Sequence, residues 1–214
     1  MDSAVCAAIA NKESYEIAAL HLNYGQLTES RELISYNNLC NHYDFEKKLI
    51  VNVEHLSLIG GSSLTDRKIE IEKADINRVD IPQTYVPFRN ANILSIATSW
   101  AEVLNAEAIF IGATQADSSG YPDCRIEFFS AFQEAINMGT KPETKIKIIA
   151  PLIDLTKKDI VLLGSTLNVP FELTWSCYKE SVIACGECDS CALRLRGFRQ
   201  ADIEDPLPYM HKPR

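Results

Sequence analysis

Two periods of hydrophobic and polar positions alternate along this chain. Within Thr28 to Tyr43, Leu33, Ile34, Leu39 and Tyr43 recur at helical spacing, and Ile93, Ile96, Ala97 and Trp100 do the same within Asn90 to Leu104. Asp2 to about Glu13 reads as an amphipathic helix with Asp2 or Ser3 as its N-cap, and a further helix is expected over Arg125 to Met138. Thr156, followed three residues later by Asp159, forms a capping box that opens a helix running to about Thr166. Between these lie short runs rich in β-formers: Glu16 to Asn23, Lys48 to Val53, Ala106 to Gly112 and Lys145 to Ala150. The unbroken apolar content of Ala106 to Gly112 predicts a strand covered on both faces. Strands alternating with helices predict an α/β fold in which a parallel sheet is sheathed by helices.

Glu54 to Phe88 fits neither period. It carries Gly60-Gly61-Ser62-Ser63 and two prolines, and irregular stretches of this length in compact domains are usually functional or mobile loops. A turn is expected at Gly120 to Asp123. With no internal repeat, low-complexity tract or linker, residues 1–214 are expected to form one α/β domain, with residues 175–200 as a cysteine-rich C-terminal segment.

Charge narrows the functional classes. Lys plus Arg number 21 against 29 acids, a formal net charge of −8. A coat on DNA or RNA needs a positive surface to displace counterions, so no nucleic-acid partner is expected. No apolar run reaches the roughly 18–20 residues needed to cross a bilayer, and no basic segment followed by an apolar one opens the chain. No membrane partner is expected, and a cytoplasmic location is.

Reducing cytosol disfavours disulfides, so the seven cysteines call for another explanation. Cys6, Cys40 and Cys124 stand alone, whereas Cys177, Cys185, Cys188 and Cys191 crowd together with C-x2-C spacing. A C-x2-C turn brings two thiolates to one tetrahedral ion, and two further cysteines complete the set. Gly186 suits such a knuckle because it accepts unusual backbone angles. One structural zinc is therefore expected; an iron–sulfur cluster uses the same ligands, and a buried set of free thiols or a redox pair is the plain alternative. Arg194, Arg196 and Arg199 follow on a helix and read as its solvated face.

In α/β proteins ligands bind beyond the carboxyl ends of the strands. Three segments are expected there: Asn23 to Gln26; Gly112 to Arg125, with Asp117, Ser119, Tyr121, Asp123 and Arg125; and Pro151 to Asp159, with Lys157 and Lys158. Asn23 to Gln26 serves equally well as a plain turn, and Asp117 and Asp123 as caps. Lysines in a first helical turn oppose the helix dipole, which points to an anionic ligand. His21, His42, His55 and His211 show no triad or metal spacing, and no serine sits in a nucleophile elbow. These residues favour a small-molecule enzyme or binding protein of nucleotide type.

Tyr24-Gly25-Gln26, Val86-Pro87-Phe88-Arg89-Asn90, Ser119-Gly120-Tyr121-Pro122-Asp123-Cys124-Arg125 and Leu155-Thr156-Lys157 occur in that order. Leu173-Thr174-Trp175-Ser176-Cys177-Tyr178, Cys185-Gly186-Glu187-Cys188-Asp189-Ser190-Cys191 and Gly197-Phe198 follow. In this combination the chain resembles the 7-cyano-7-deazaguanine synthase family of queuosine precursor biosynthesis. The resemblance spans nearly the whole chain and is weakest over Glu54 to Asp80. It implies a Rossmann-like sheet of the adenine nucleotide alpha hydrolase type with a C-terminal four-cysteine zinc knuckle. It also implies a homodimer, and 7-carboxy-7-deazaguanine, ammonia and ATP with magnesium as reactants. ATP would activate the carboxylate as an acyl adenylate, ammonia would displace AMP to give an amide, and a second ATP would drive dehydration to the nitrile.

Carried onto this sequence, the resemblance points to Asp2, Ser3, Tyr24, Gln26, Arg89 and Asn90 for ATP. It points to Asp117, Ser119, Tyr121, Asp123, Arg125 and Phe128 for the acid substrate, with Lys157, Asp123 and Arg125 as catalytic groups. Asp123 would accept from the guanine-like edge, Arg125 pair with a carboxylate or phosphate, Phe128 stack on the base, and Lys157 stabilise phosphate charge.

The resemblance departs at the start. The family opens with a strand and a Ser-Gly-Gly-x-Asp-Ser phosphate loop, and Met1-Asp2-Ser3 aligns with the last three positions of that loop. That strand is central in the family's sheet, so its neighbours are expected to face an open edge here. Two readings of this departure are open: a start internal to the motif of a longer protein, or an inactive remnant that retains its zinc. A non-enzymatic zinc-binding interaction protein is a further alternative, and a related tRNA-modifying enzyme another, against which the acidic balance weighs.

Overall fold

The computed structural model describes residues 1–75, 78, 80–115 and 120–211. Strands and helices alternate as the hydrophobic pattern predicts: α1 (Asp2–Lys12), β1 (Ala18–Asn23), α2 (Glu29–His42), β2 (Lys47–Asn52), α3 (His55–Ile59), α4 (Arg89–Leu104), β3 (Ala108–Phe110), α5 (Ile126–Gly139), β4 (Lys147–Ile149), α6 (Lys157–Thr166) and α7 (Asp189–Gln200). The short α3 inside the irregular stretch has no sequence signal. The turn expected at Gly120 to Asp123 is a 3-10 turn at Pro122–Cys124.

Pairing is parallel throughout. β1 runs beside β2 from Ala18↔Lys47 to Asn23↔Asn52, and β3 beside β4 from Ala108↔Lys147 to Phe110↔Ile149. Among the described residues no ladder joins the two pairs, so β1 and β3 each have one paired edge. The full cover expected for β3 is not found: Ala108, Ile109 and Phe110 are each only partly buried, because a two-stranded sheet cannot enclose them as the middle of a wider one would.

The local signals act through identifiable contacts. The capping box at α6 is present, with Asp159 N–H donating to Thr156 Oγ1 and Thr156 N–H donating to Asp159 Oδ2. At α1 the N-cap is Met1, not Asp2 or Ser3, and no side chain caps the helix. The Asp2 carboxylate faces Lys157 instead, which removes it from the capping role.

α1, α6 and α7 pack around Val5, Leu152, Ile160, Val161, Phe171 and Phe198, all buried. A second core unites β1 with the cysteine segment and the irregular stretch through Leu22, Leu56, Leu64, Ile71, Val86 and Trp175. The irregular stretch is thus half of a core, held by Ala74 N–H donating to Glu187 O at 2.8 Å and by a Lys73–Glu187 ion pair.

The expected solvated face of α7 is corrected at Arg194, which is only 1% exposed. Its Nε and Nη2 donate to the two carboxylate oxygens of Asp205 at 2.8 and 2.9 Å. Nη1 donates to Thr174 Oγ1, and Nη2 also to Phe171 O. Only a guanidinium offers this fork of donors, so the buried charge is matched on every side. The apolar surroundings hid this role, since nothing in the helical spacing separates Arg194 from its exposed neighbour Arg199.

Burial pushes the Asp205 carboxyl up, but the hydrogen bond and charge of Arg194 outweigh it and hold the pKa below the ordinary value. A depressed carboxylate stabilises the fold above its unfolded pKa of about 4, and that stabilisation is lost as pH falls through the folded value. Asp205→Asn should therefore cost about 3 kcal/mol or more at pH 7. In urea unfolding, the gap between parent and variant should narrow steadily below about pH 4. A gap that stays constant in acid would contradict the ion-pair account.

Candidate functional site

Beyond the carboxyl ends of β3 and β4 lies a cavity of about 160 Å³. Asp2 reaches it from the start of α1, Lys157 from the start of α6, Arg89 from the start of α4, and Tyr121 and Cys124 from the loop before α5. Tyr178 closes it from the cysteine segment. Three helix N-termini thus aim at one hollow, an arrangement that favours negative charge.

One end of the cavity holds an ion pair. Lys157 Nζ lies 2.6 Å from Asp2 Oδ2, with the two side chains 9% and 25% exposed. Burial alone would raise the Asp2 carboxyl, yet the Lys157 charge and hydrogen bond hold it below its ordinary value. The second oxygen, Oδ1, is buried and has no hydrogen-bond partner among the described residues. An unpartnered carboxylate oxygen beside an ammonium fits a phosphate chain carrying magnesium, which takes oxygen ligands of this kind.

The other end is aromatic. Arg89 Nη1 donates to Tyr24 Oη at 3.2 Å, and its guanidinium stands 5.5 Å from the Tyr24 ring and 6.0 Å from that of Tyr121. Tyr121 Oη donates to Thr84 Oγ1 at 2.9 Å, and the Tyr121 and Tyr178 hydroxyls are 3.5 Å apart. Burial pushes the Tyr24 hydroxyl up to about 12, so it stays protonated near neutrality. Among the described residues no carboxylate lies within ion-pair distance of Arg89, which leaves its charge directed at whatever enters.

The remaining sequence candidates divide by position. Ser3 lies in the first turn of α1. Asp123 and Asn90 are buried against each other: Asn90 N–H donates to Asp123 Oδ2 at 2.9 Å and Asn90 Nδ2 to Asp123 O at 2.8 Å, which fixes the start of α4. Gln26 holds its own turn, accepting from Tyr24 N–H and donating to Glu32. Phe128 packs among Phe88, Phe129 and Phe132, and Arg125 is exposed at the N-cap of α5. Asp117 and Ser119 lie outside the described residues. Cys124, Ser176, Tyr178 and Arg194 line the cavity without having been singled out for ligand binding. For Tyr178 the signal was at hand, because it adjoins the first cysteine of the cluster.

Cys177, Cys185, Cys188 and Cys191 are all buried, with their sulfurs within 4.8 Å of one another. Cys185 and Cys191 Sγ are 3.9 Å apart. A tetrahedral ion with metal–sulfur bonds of about 2.3 Å would hold sulfurs about 3.8 Å apart, so the set fits zinc. Backbone N–H groups of Lys179, Glu180 and Cys185 donate to Cys177 Sγ, and those of Glu187 and Cys188 to Cys185 Sγ. These donors and the α7 N-terminus favour thiolates. Gly186 makes the turn at φ +80°, where a Cβ would overlap the His211 carbonyl. Four protein sulfurs complete the coordination and leave no position for a substrate.

An α/β scaffold of parallel strands, a cavity at helix N-termini and a closed tetracysteine knuckle together define a nucleotide-type site with a structural metal centre. The family described as Queuosine biosynthesis protein QueC matches residues 1–202, and the chain belongs to that family. It is 58% identical over 213 residues to the 7-cyano-7-deazaguanine synthase of Chloroherpeton thalassium, covering 100% of this chain and 94% of that protein. It is 55% identical over 213 residues to the synthase of Chlorobium phaeobacteroides strain BS1, and 52% to that of Chlorobaculum tepidum, with the same coverage.

The purified protein should carry one zinc per chain by elemental analysis and show no visible iron–sulfur absorbance. Cys188→Ser should lose most of that zinc and lower thermal stability. Stoichiometric iron, or full zinc retention by the variant, would contradict the assignment.

Proposed function

We propose that this chain catalyses the ATP-dependent conversion of 7-carboxy-7-deazaguanine and ammonia to 7-cyano-7-deazaguanine. The observation that carries this reading is the convergence of the Asp2–Lys157 pair and Arg89 on one cavity beyond the strand ends, in a chain of this family.

The two ends of the cavity suit two substrates. Lys157, with the uncapped N-terminus of α1 beside it, receives the nucleotide phosphates, where positive charge and backbone N–H groups stabilise the developing pyrophosphate. Asp2 would offer an oxygen to magnesium, which would supply neutralisation of the phosphate charge. Arg89, framed by Tyr24 and Tyr121, holds the substrate acid against the nucleotide. A carboxylate oxygen then attacks the α-phosphorus, pyrophosphate leaves, ammonia adds to the acyl carbon, and AMP departs to leave the amide. The amide oxygen then attacks the α-phosphorus of a second ATP and pyrophosphate leaves; loss of AMP and of both amide protons gives the nitrile. Much of the work is orientation of reactants in a closed space.

The remaining candidates support these two ends. Ser3 and Tyr24 lie beside the nucleotide, while Gln26, Asn90 and Asp123 hold the turns that present Tyr24 and Arg89. Asp123 through its free carboxylate lone pairs, with Arg125, Phe128, Asp117 and Ser119, would serve the base. No helix among the described residues is long and apolar enough to cross a membrane. A homodimer in the cytoplasm completes the reading, with light scattering of the purified protein as the check on its oligomeric state.

AMP release that requires the deazaguanine acid tests the activity. Lys157→Ala should lower kcat for AMP release by about 10²–10³-fold, the usual loss for one charge-stabilising donor. Turnover unchanged in Lys157→Ala would remove the lysine from the mechanism, and no acid-dependent AMP from the parent chain would remove the activity.

A further inference from the structure

Four buried residues share one face of α7. Cys191, Arg194, Gly197 and Phe198 follow at helical spacing, while Ala192, Leu193, Leu195 and Arg196 between them are only partly buried. Each has a separate engagement. Cys191 belongs to the sulfur cluster, Arg194 to the fork with Asp205, and Phe198 packs on Phe171 with ring centroids 5.1 Å apart. Gly197 lies against the first residue of α6: a Cβ placed there would stand 2.8 Å from Lys157 Cβ, 2.8 Å from Lys157 O and 2.9 Å from Lys157 C. Two of those atoms are backbone and cannot swing away as the end of a side chain could.

We infer that α7 is the positioning element for Lys157, with Gly197 as its positioning residue and Arg194 as the group that sets the depth of the helix. The inference rests on the role of Lys157 proposed above. Lysine at the first position of α6 opposes that helix's own dipole, and its ammonium is nearly buried, so local propensity does not hold it there. What holds it is close backbone approach from α7. The cysteine cluster fixes α7 at Cys191, about 9 Å along the axis from Gly197 at the ordinary helical rise. Arg194 sits between, tying the helix to Thr174, Phe171 O and Asp205. A Cβ at position 197 would push α6 and α7 apart at the very residue whose ammonium must stay 2.6 Å from Asp2.

A double-mutant cycle tests this in the full-length, zinc-loaded protein. Gly197→Ala should lower kcat for acid-dependent AMP release by at least tenfold. In the Lys157→Ala background the same change should add less than twofold, because the lysine it acts through is gone. An equal fold-loss in both backgrounds would show a merely structural role and overturn the inference. So would unaltered activity, the expected outcome without the close approach, since alanine is the better helix former. A second readout needs no turnover. Labelling of Lys157 by a lysine-reactive reagent, followed by peptide mass spectrometry, should rise at least threefold in Gly197→Ala, while the exposed Lys12 and Lys141 label as in the parent. Unchanged labelling of Lys157 would count against the inference whether or not the enzyme is active.

Should Gly197→Ala not fold, Arg194→Lys carries the same two measurements. It keeps the charge and loses the fork, and the inference predicts the same non-additivity with Lys157→Ala and the same selective rise in Lys157 labelling. Failure of the parent chain to release AMP would instead count against the activity, and the labelling result would still decide whether α7 seats the lysine.

Discussion

The structure turns on the ion pair of Asp2 with Lys157, which sits at the junction of three helices. Two charges leave water at this joint, and that costs several kcal/mol per ion unless geometry and neighbours offset it. Here the offset comes from the 2.6 Å contact and from three elements that converge on it: α1 supplies the acid, α6 the base, and α7 the backing surface. The depressed Asp2 carboxyl records the outcome, since its burial taken alone would have raised it. The pair suits the phosphate site proposed above, where the ammonium would turn to an incoming anion and the carboxylate would offer an oxygen to magnesium.

The tetracysteine cluster and the irregular stretch take their place around that joint. The cluster is closed to substrate, so its influence on the cavity runs through what it anchors: Tyr178 beside Cys177, and α7 beyond Cys191. Ile71, Ala74 and Lys73 dock the stretch from Glu54 to Phe88 onto this same segment. The stretch then brings Thr84 to Tyr121 and leads into Arg89, the first residue of α4, which donates to Tyr24. Loss of the metal centre would therefore disturb both ends of the cavity without any ligand passing through the sulfur site.

Legibility in the sequence followed the range of the forces involved. α2, α4 and α5 rest on apolar periodicity, and α6 on a capping box, so each was readable within two or three residues of its ends. The cysteine spacing was equally local. Lys157 was flagged because a lysine against a helix dipole is a local contradiction with a distant cause. Arg194 was misread because its partners, Asp205, Thr174 and Phe171, lie elsewhere in the chain and helical spacing gives no hint of them. α3 and the packing of residues 54–88 escaped for the same reason: their order comes from the second core, not from propensity. The pairing of Asn90 with Asp123 likewise joins two motifs that looked like separate ligand contacts.

Joining of a carboxylate to the α-phosphorus of ATP in this cavity can be followed with deazaguanine acid carrying 18O in its carboxylate, in the presence of ATP, magnesium and ammonia. Phosphorus NMR or mass spectrometry of the AMP formed reads the result. One 18O should pass from the acid into each AMP released in the first step, and labelled AMP should form about 10²–10³-fold more slowly in Lys157→Ala. AMP free of label, or labelled AMP formed at the parent rate without Lys157, would contradict this mechanism.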